Sequence, residues 1–196
     1  RLYAWASANG QEDYFTKNDR KVMKILRKCY KNKYVPYGGT TRHRAFLWGP
    51  SAVYYTDFPT WTQNCWGINI LVEMESLNFT KPLETEDKEE ALRDLARLYE
   101  RMVMRRHTNG GYQNVVDELW RQCEAWNTNI IIMYQNVACK NMATVQGILD
   151  EQGRERGYHM IWIEHDLMDP RTVSRKTMRD KVNEYMRTVM RAEPID

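Results

Sequence analysis

The last third of the chain alternates between two textures, and that alternation restricts the fold more than any other feature. Ile130-Ile131-Ile132-Met133-Tyr134 is an unbroken apolar run, followed by a helical pattern over 140–152 ended by Gly153, a second strand-like run over 158–163 and a helix over 171–190. Short apolar runs bounded by turn signals suit strands covered on both faces. Two strands joined through a helix must lie parallel, and such crossovers are right-handed. The expected fold is α/β (mixed α+β): a single domain over 1–196 with a mixed sheet of about 4–5 strands flanked by helices. Its parts are an N-terminal amphipathic basic helix and β-hairpin, and a C-terminal βαβα unit.

The remaining elements follow from local patterns. Thr16-Lys17-Asn18-Asp19 opens a helix over 16–31, with Val22, Ile25, Leu26 and Cys29 on one stripe and Arg20, Lys24, Arg27 and Lys31 on another. Tyr37-Gly38-Gly39-Thr40 reads as a loop. Ala45-Phe46-Leu47-Trp48 and Ala52-Val53-Tyr54-Tyr55, separated by Gly49-Pro50-Ser51, read as the two arms of a hairpin. Residues 66–74 read as a buried strand. A helix over 85–107 carries acids at its start and Arg101, Arg105, Arg106 and His107 at its end, and another over 113–126 presents Val115, Leu119, Trp120 and Cys123. The 1–66 part is basic and aromatic; 67–196 is the α/β part.

Charge is segregated along the chain. Residues 1–50 hold eleven Lys and Arg against three acids, a balance of +8, whereas 51–196 hold eighteen against twenty-three, a balance of −5. Cations spaced for successive phosphates, interleaved with flat rings, suit RNA or single-stranded nucleic acid. The expected contacts are Arg20, Lys24, Arg27, Lys28, Lys31, Lys33, Arg42 and Arg44 to phosphate, with Tyr30, Tyr34, Tyr37 and Trp61 stacking on bases. The expected function is therefore a nucleic-acid-binding domain, with a texture like viral replication or capsid-associated proteins. The competing class is a structural or assembly domain whose Trp- and Tyr-rich middle meets a protein partner. A solvated basic helix beside an aromatic sheet is the plain alternative to both.

A third reading is a metal-dependent nuclease. Glu164, His165 and Asp166 follow one expected strand, and Glu73 and Glu75 close another, at ends where open α/β sheets bind ligands. Carboxylates there suit Mg²⁺ or Mn²⁺, yet strand ends often carry acids simply to cap the next helix, as Asp169-Pro170 does before the last one. Glu73, Glu164 and Asp166 are the catalytic candidates; no metal ligand set and no cofactor is assigned.

Cys29, Cys65, Cys123 and Cys139 match no zinc spacing and no compact disulfide framework, so free buried thiols are expected; a secreted, disulfide-bonded form with a glycosylated Asn78-Phe79-Thr80 sequon is the alternative. The run from Ile130 to Met142 locally resembles the strand and active-site helix of the thioredoxin family. That resemblance puts Asn136 where the nucleophilic cysteine stands and Cys139 at the second, which excludes dithiol exchange. His159 and His165 are too far apart along a strand to share a metal, and neither a nucleophile elbow nor a phosphate-binding loop is present. No apolar run approaches the roughly 20 residues of a membrane-spanning helix. The expectation is a soluble, intracellular, cytoplasmic chain, an excised domain or processed product opening on Arg1.

Overall fold

A computed structural model describes residues 12–32, 40–74 and 86–195. The chain divides into two compact units, residues 1–36 with 77–110 and residues 37–76 with 111–196.

The described part of the first unit is helical. Helix α1 spans Glu12–Lys31. Its stripe Val22, Ile25 and Leu26 is about half exposed, so the face expected to pack stands in solvent. Two helices, α3 (Lys88–Arg101) and α4 (Val103–Asn109), replace the single expected one. The break falls at Met102, whose backbone is extended (φ −62°, ψ 142°). Asp87 caps α3 by accepting a bond from the Glu90 N–H at 2.9 Å.

The second unit holds the sheet. Its strands are β1 (His43–Trp48), β2 (Ile68–Glu73), β3 (Ile130–Asn136) and β4 (His159–His165), in the order β2-β1-β3-β4. Its helices are α2 (Phe58–Trp66), α5 (Gly111–Ala125), α6 (Lys140–Glu155) and α7 (Arg175–Thr188). Every pairing is parallel, so the sheet is not mixed. The hairpin is absent for a geometric reason: β2 and β3 occupy both edges of β1, leaving no edge for residues 52–55 to pair with. After Trp48 the chain turns through a loop into α2 instead. Trp66 ends that helix rather than opening a strand.

One face of the sheet places Ala45, Leu47, Ile130, Ile132, Tyr134, Ile161 and Ile163 against Phe58 and Trp66 of α2 and Met178, Val182 and Met186 of α7. On the other face α6 lies along β3 and β4. There Gly153 sits so near Met160 that a Cβ would fall 2.5 Å from its sulfur. Gly153 is therefore a packing residue inside α6, not its stop; the turn comes at Gly157, with φ +77°. Burial on both faces explains why β3 reads as uninterrupted hydrophobic sequence. The last helix starts later than expected, because Ser174, accepting from the Thr177 N–H at 3.1 Å, is its cap and Asp169-Pro170 is not.

Candidate active site

In the order β2-β1-β3-β4 the chain leaves β1 toward β2 on one side, while β3 and β4 lie on the other. The carboxyl ends of β1 and β3 thus flank the point where strand order reverses, which is where open α/β sheets bind ligands.

Three segments meet there. The first follows β1, where Gly49 adopts φ +96° and a Cβ on it would stand 2.2 Å from the Tyr134 carbonyl oxygen. Only glycine fits so close a passage over β3. The second follows β3: Asn136 Oδ1 accepts from the Ala138 N–H at 2.8 Å, and the Asn136 carbonyl accepts from the Cys139 N–H at 2.8 Å, a tight turn into α6. Cys139 is the N-cap of α6, yet no side chain caps this helix and its first turn holds no acid. The third follows β4, where Asp166 Oδ1 accepts from the N–H groups of Asp169 and Met168, which hold its carboxyl below the ordinary carboxylate range.

The first and third segments are tied together. The Val53 N–H donates to the Leu167 carbonyl at 3.1 Å and the Tyr54 hydroxyl to the Val173 carbonyl at 2.9 Å. Burial, then the charges of Asp166 and Asp169, push the Tyr54 phenol up. Below them, Arg179 of α7 donates to the Tyr55 hydroxyl and stacks over Tyr55 and Trp61, with Asp57 at 3.5 Å.

His165 is the anomaly of the site. It is fully buried at the end of β4, meets Tyr134 edge-on with ring centroids 4.9 Å apart, and neither ring nitrogen has a hydrogen-bond partner. Gln135, also buried, leaves its Oε1 unpartnered one residue before the end of β3. Buried polar atoms in native proteins are nearly always bonded, so the bare ring nitrogens of His165 at a ligand-binding edge mark a group awaiting a partner, while Gln135, by strand alternation, faces the other side of the sheet. Burial, followed by the Tyr55, Glu73 and Tyr54 groups, drives the Tyr134 phenol far up, so it stays protonated.

The expected site residues separate. Arg20, Lys24, Arg27, Lys28 and Lys31 lie on α1 in the first unit, all exposed. Lys33, Tyr34, Tyr37 and Glu75 lie outside the described residues. Arg42 and Arg44 are structural ties: Arg42 donates to the Glu193 carbonyl at 2.8 Å and Arg44 Nε to the Asn127 carbonyl at 2.5 Å. Glu73 ends β2 at one edge of the sheet, while Glu164 and Asp166 stand at the opposite edge, three strand spacings or roughly 14 Å away. Among the described residues, no three His, Cys, Asp or Glu side chains gather to hold a metal ion. Sequence reasoning named His165 between Glu164 and Asp166 at a ligand-binding strand end, yet gave it no role of its own and rejected it as a metal partner of His159.

None of the four cysteines forms a disulfide: Cys123 is buried and Cys29, Cys65 and Cys139 are half-buried. Burial pushes the Cys123 thiol up to about 11. Thiol labelling of the folded protein at pH 8 is expected to spare Cys123 and to reach it only in denaturant; labelling in the native state would show that α5 does not pack as described.

One comparison decides the family. The sequence profile of the family described as 2-hydroxyglutaryl-CoA dehydratase, D-component, matches residues 3–188. The chain belongs to this family. No individual curated protein matches it. Membership of the 2-hydroxyglutaryl-CoA dehydratase D-component family overturns the reading of the chain as an RNA-binding or single-strand-binding viral protein, and with it the nuclease and assembly-scaffold alternatives. A charge excess in a sequence reports a cationic surface, and such a surface serves many partners besides nucleic acid. Among the described residues, no helix is long and apolar enough to cross a membrane.

Proposed function

We propose that this chain takes part in dehydrating a CoA thioester of a 2-hydroxy acid, as one component of an enzyme that includes a protein partner. The acyl end lies in the crevice outside β1, β3 and β4. The family match over residues 3–188 carries the reading, and the bare ring nitrogens of His165 at that edge support it.

Dehydration breaks the C–O bond on the carbon beside the thioester carbonyl and a C–H bond on the next carbon, forms a C=C bond and releases water. The carbonyl does not acidify that second carbon. The task of these residues is therefore to bind and orient the thioester, to take the proton from that second carbon and to give one to the departing hydroxide. The uncapped N–H groups at the start of α6 suit the thioester oxygen, since helix N-termini attract negative charge. His165 supplies a proton to the departing hydroxide and, left neutral, takes up the proton from the next carbon, so that one water leaves and the ring returns to its starting state. Tyr134, a neutral phenol, holds the ring in place. Since His165 is sealed, the thioester reaches it by parting the tie between residues 53–54 and 167–173.

Calorimetric titration with 2-hydroxyglutaryl-CoA tests the reading. Saturable binding is expected, with free CoA at least about tenfold weaker because it lacks the acyl group the crevice holds. Equal binding of both ligands, or none of either, contradicts it.

A further inference from the structure

Strand β4 is the outer strand of the sheet, and its free edge forms the floor of a groove of about 800 Å³. The His159 N–H donates to the Asn129 carbonyl at 3.0 Å and the His165 carbonyl accepts from the Val137 N–H at 2.9 Å. Residues 159, 161, 163 and 165 therefore spend their backbone groups on β3. By the alternation of a strand, the N–H and C=O groups of Met160, Trp162 and Glu164 turn outward, where no fifth strand stands among the described residues. The Tyr185 hydroxyl takes the Met160 N–H, which leaves Trp162 and Glu164 as the two outward residues offering both a donor and an acceptor.

Helices α6 and α7 wall this edge. The Trp162 indole donates to Asp150 of α6 at 2.5 Å, and Gly153 lies against Met160, so Arg154 stands level with Met160, as does Tyr185 on the opposite wall. A slot between two helices with backbone donors and acceptors on its floor takes an extended chain that carries amides. A peptide strand of ordinary length finds only two residues to pair with before Tyr185 closes the edge. The handle of a CoA thioester is better matched. Its pantetheine arm holds two amides between the sulfur and the first phosphate, and stretches over roughly 16 Å when extended. From His165 back to Met160 the strand covers five steps of roughly 3.3 Å, a similar span. We propose that the outer edge of β4 binds the pantetheine arm as a short added strand, a placement that rests on the thioester reading of the active site. The sulfur lies toward His165, the two amides lie against the outward groups of Glu164 and Trp162, and the first phosphate reaches Arg154. Of the acids in the walls, Asp150 is engaged by the Trp162 indole, and Glu184 shares α7 with Lys181, so bases exceed unengaged acids at the phosphate end. The half-buried Tyr158, stacked on Trp120, and the exposed Val189 close that end with apolar surface suited to a base.

Calorimetric titration of the whole chain with the 2-hydroxyglutaryl thioesters of CoA and of pantetheine, the second lacking the nucleotide, tests it. Glu164→Pro removes an outward N–H and none of the bonds to β3, so it weakens both thioesters by about tenfold while circular dichroism stays unchanged. Arg154→Glu weakens the CoA thioester by about tenfold and leaves the pantetheine thioester as it was. Should Glu164→Pro disturb the fold, amide hydrogen exchange of the unaltered chain decides, with slower exchange expected at Trp162 and Glu164 once the CoA thioester is added. If the unaltered chain binds the CoA thioester but neither Glu164→Pro nor the exchange of these two amides registers it, the placement is overturned and the dehydratase reading stands. Arg154→Glu binding both thioesters like the parent overturns the placement as well. No binding of either thioester by the unaltered chain overturns both readings together.

Discussion

Gly49→Ala is expected to lower the free energy of unfolding by about 3 kcal/mol or more, measured as a shift of the urea midpoint. Two penalties add. A positive φ of 96° is strained for any residue with a Cβ, and that carbon would lie 2.2 Å from the Tyr134 carbonyl oxygen, a backbone atom inside the sheet that cannot swing aside. Relief comes only by lifting residues 48–50 away from β3, which disrupts the edge where the site is built. Gly147→Ala is the control. That glycine sits within α6, nothing lies within 4 Å of the added carbon, and alanine favours a helix over glycine by up to about 1 kcal/mol. The two variants add the same atom and should move the midpoint in opposite directions. An unchanged midpoint in Gly49→Ala would mean that β1 does not end over Tyr134.

His165→Phe separates function from stability. Phenylalanine fills similar space against Tyr134 and removes two buried polar atoms that lack partners, so the folded protein is expected to be as stable as before or more stable by about 1 kcal/mol. Dehydration by the assembled enzyme is expected to fall by about a hundredfold or more, the usual loss when a proton-transferring group is deleted. A purely structural histidine gives the reverse pattern, reduced stability with activity intact. His165→Gln keeps a polar group but no ring nitrogen to deliver the proton, and should bind thioester better than His165→Phe while turning over slowly.

The parallel unit from β3 to α7 was legible because its signals are local: apolar runs of strand length separated by helical patterns, with enough intervening chain for a crossover. The hairpin at 45–55 misled because aromatic and β-branched residues beside Gly-Pro suit strands in general. Whether residues 52–55 pair depends on whether β1 has a free edge, and β2 and β3, contributed by distant sequence, take both. Gly153 misled for a related reason. A glycine in a helical pattern reads as a stop, and only the position of Met160 on β4 shows that it is there for clearance. At the site, Glu164 and Asp166 were placed correctly at the end of a strand, but Glu73 sits at the far edge of the sheet, a separation set by strand order alone. His165 was named beside Glu164 and Asp166 but given no role of its own, since an unpartnered nitrogen is a property of its surroundings, and no sequence pattern encodes it. The basic opening quarter was read accurately as charge and wrongly as function: Arg42 and Arg44 spend their guanidinium groups on carbonyls within the second unit.

Photo-crosslinking with a 2-hydroxyacyl-CoA analogue that carries the reactive group on its acyl end, followed by peptide mapping, tests the placement of the site most directly. Label is expected on the segments that meet at the carboxyl edge of the sheet, residues 49–55, 134–141 and 164–169, and excess 2-hydroxyglutaryl-CoA should suppress it. Label confined to α1, or spread over the surface and indifferent to the competitor, would contradict the account.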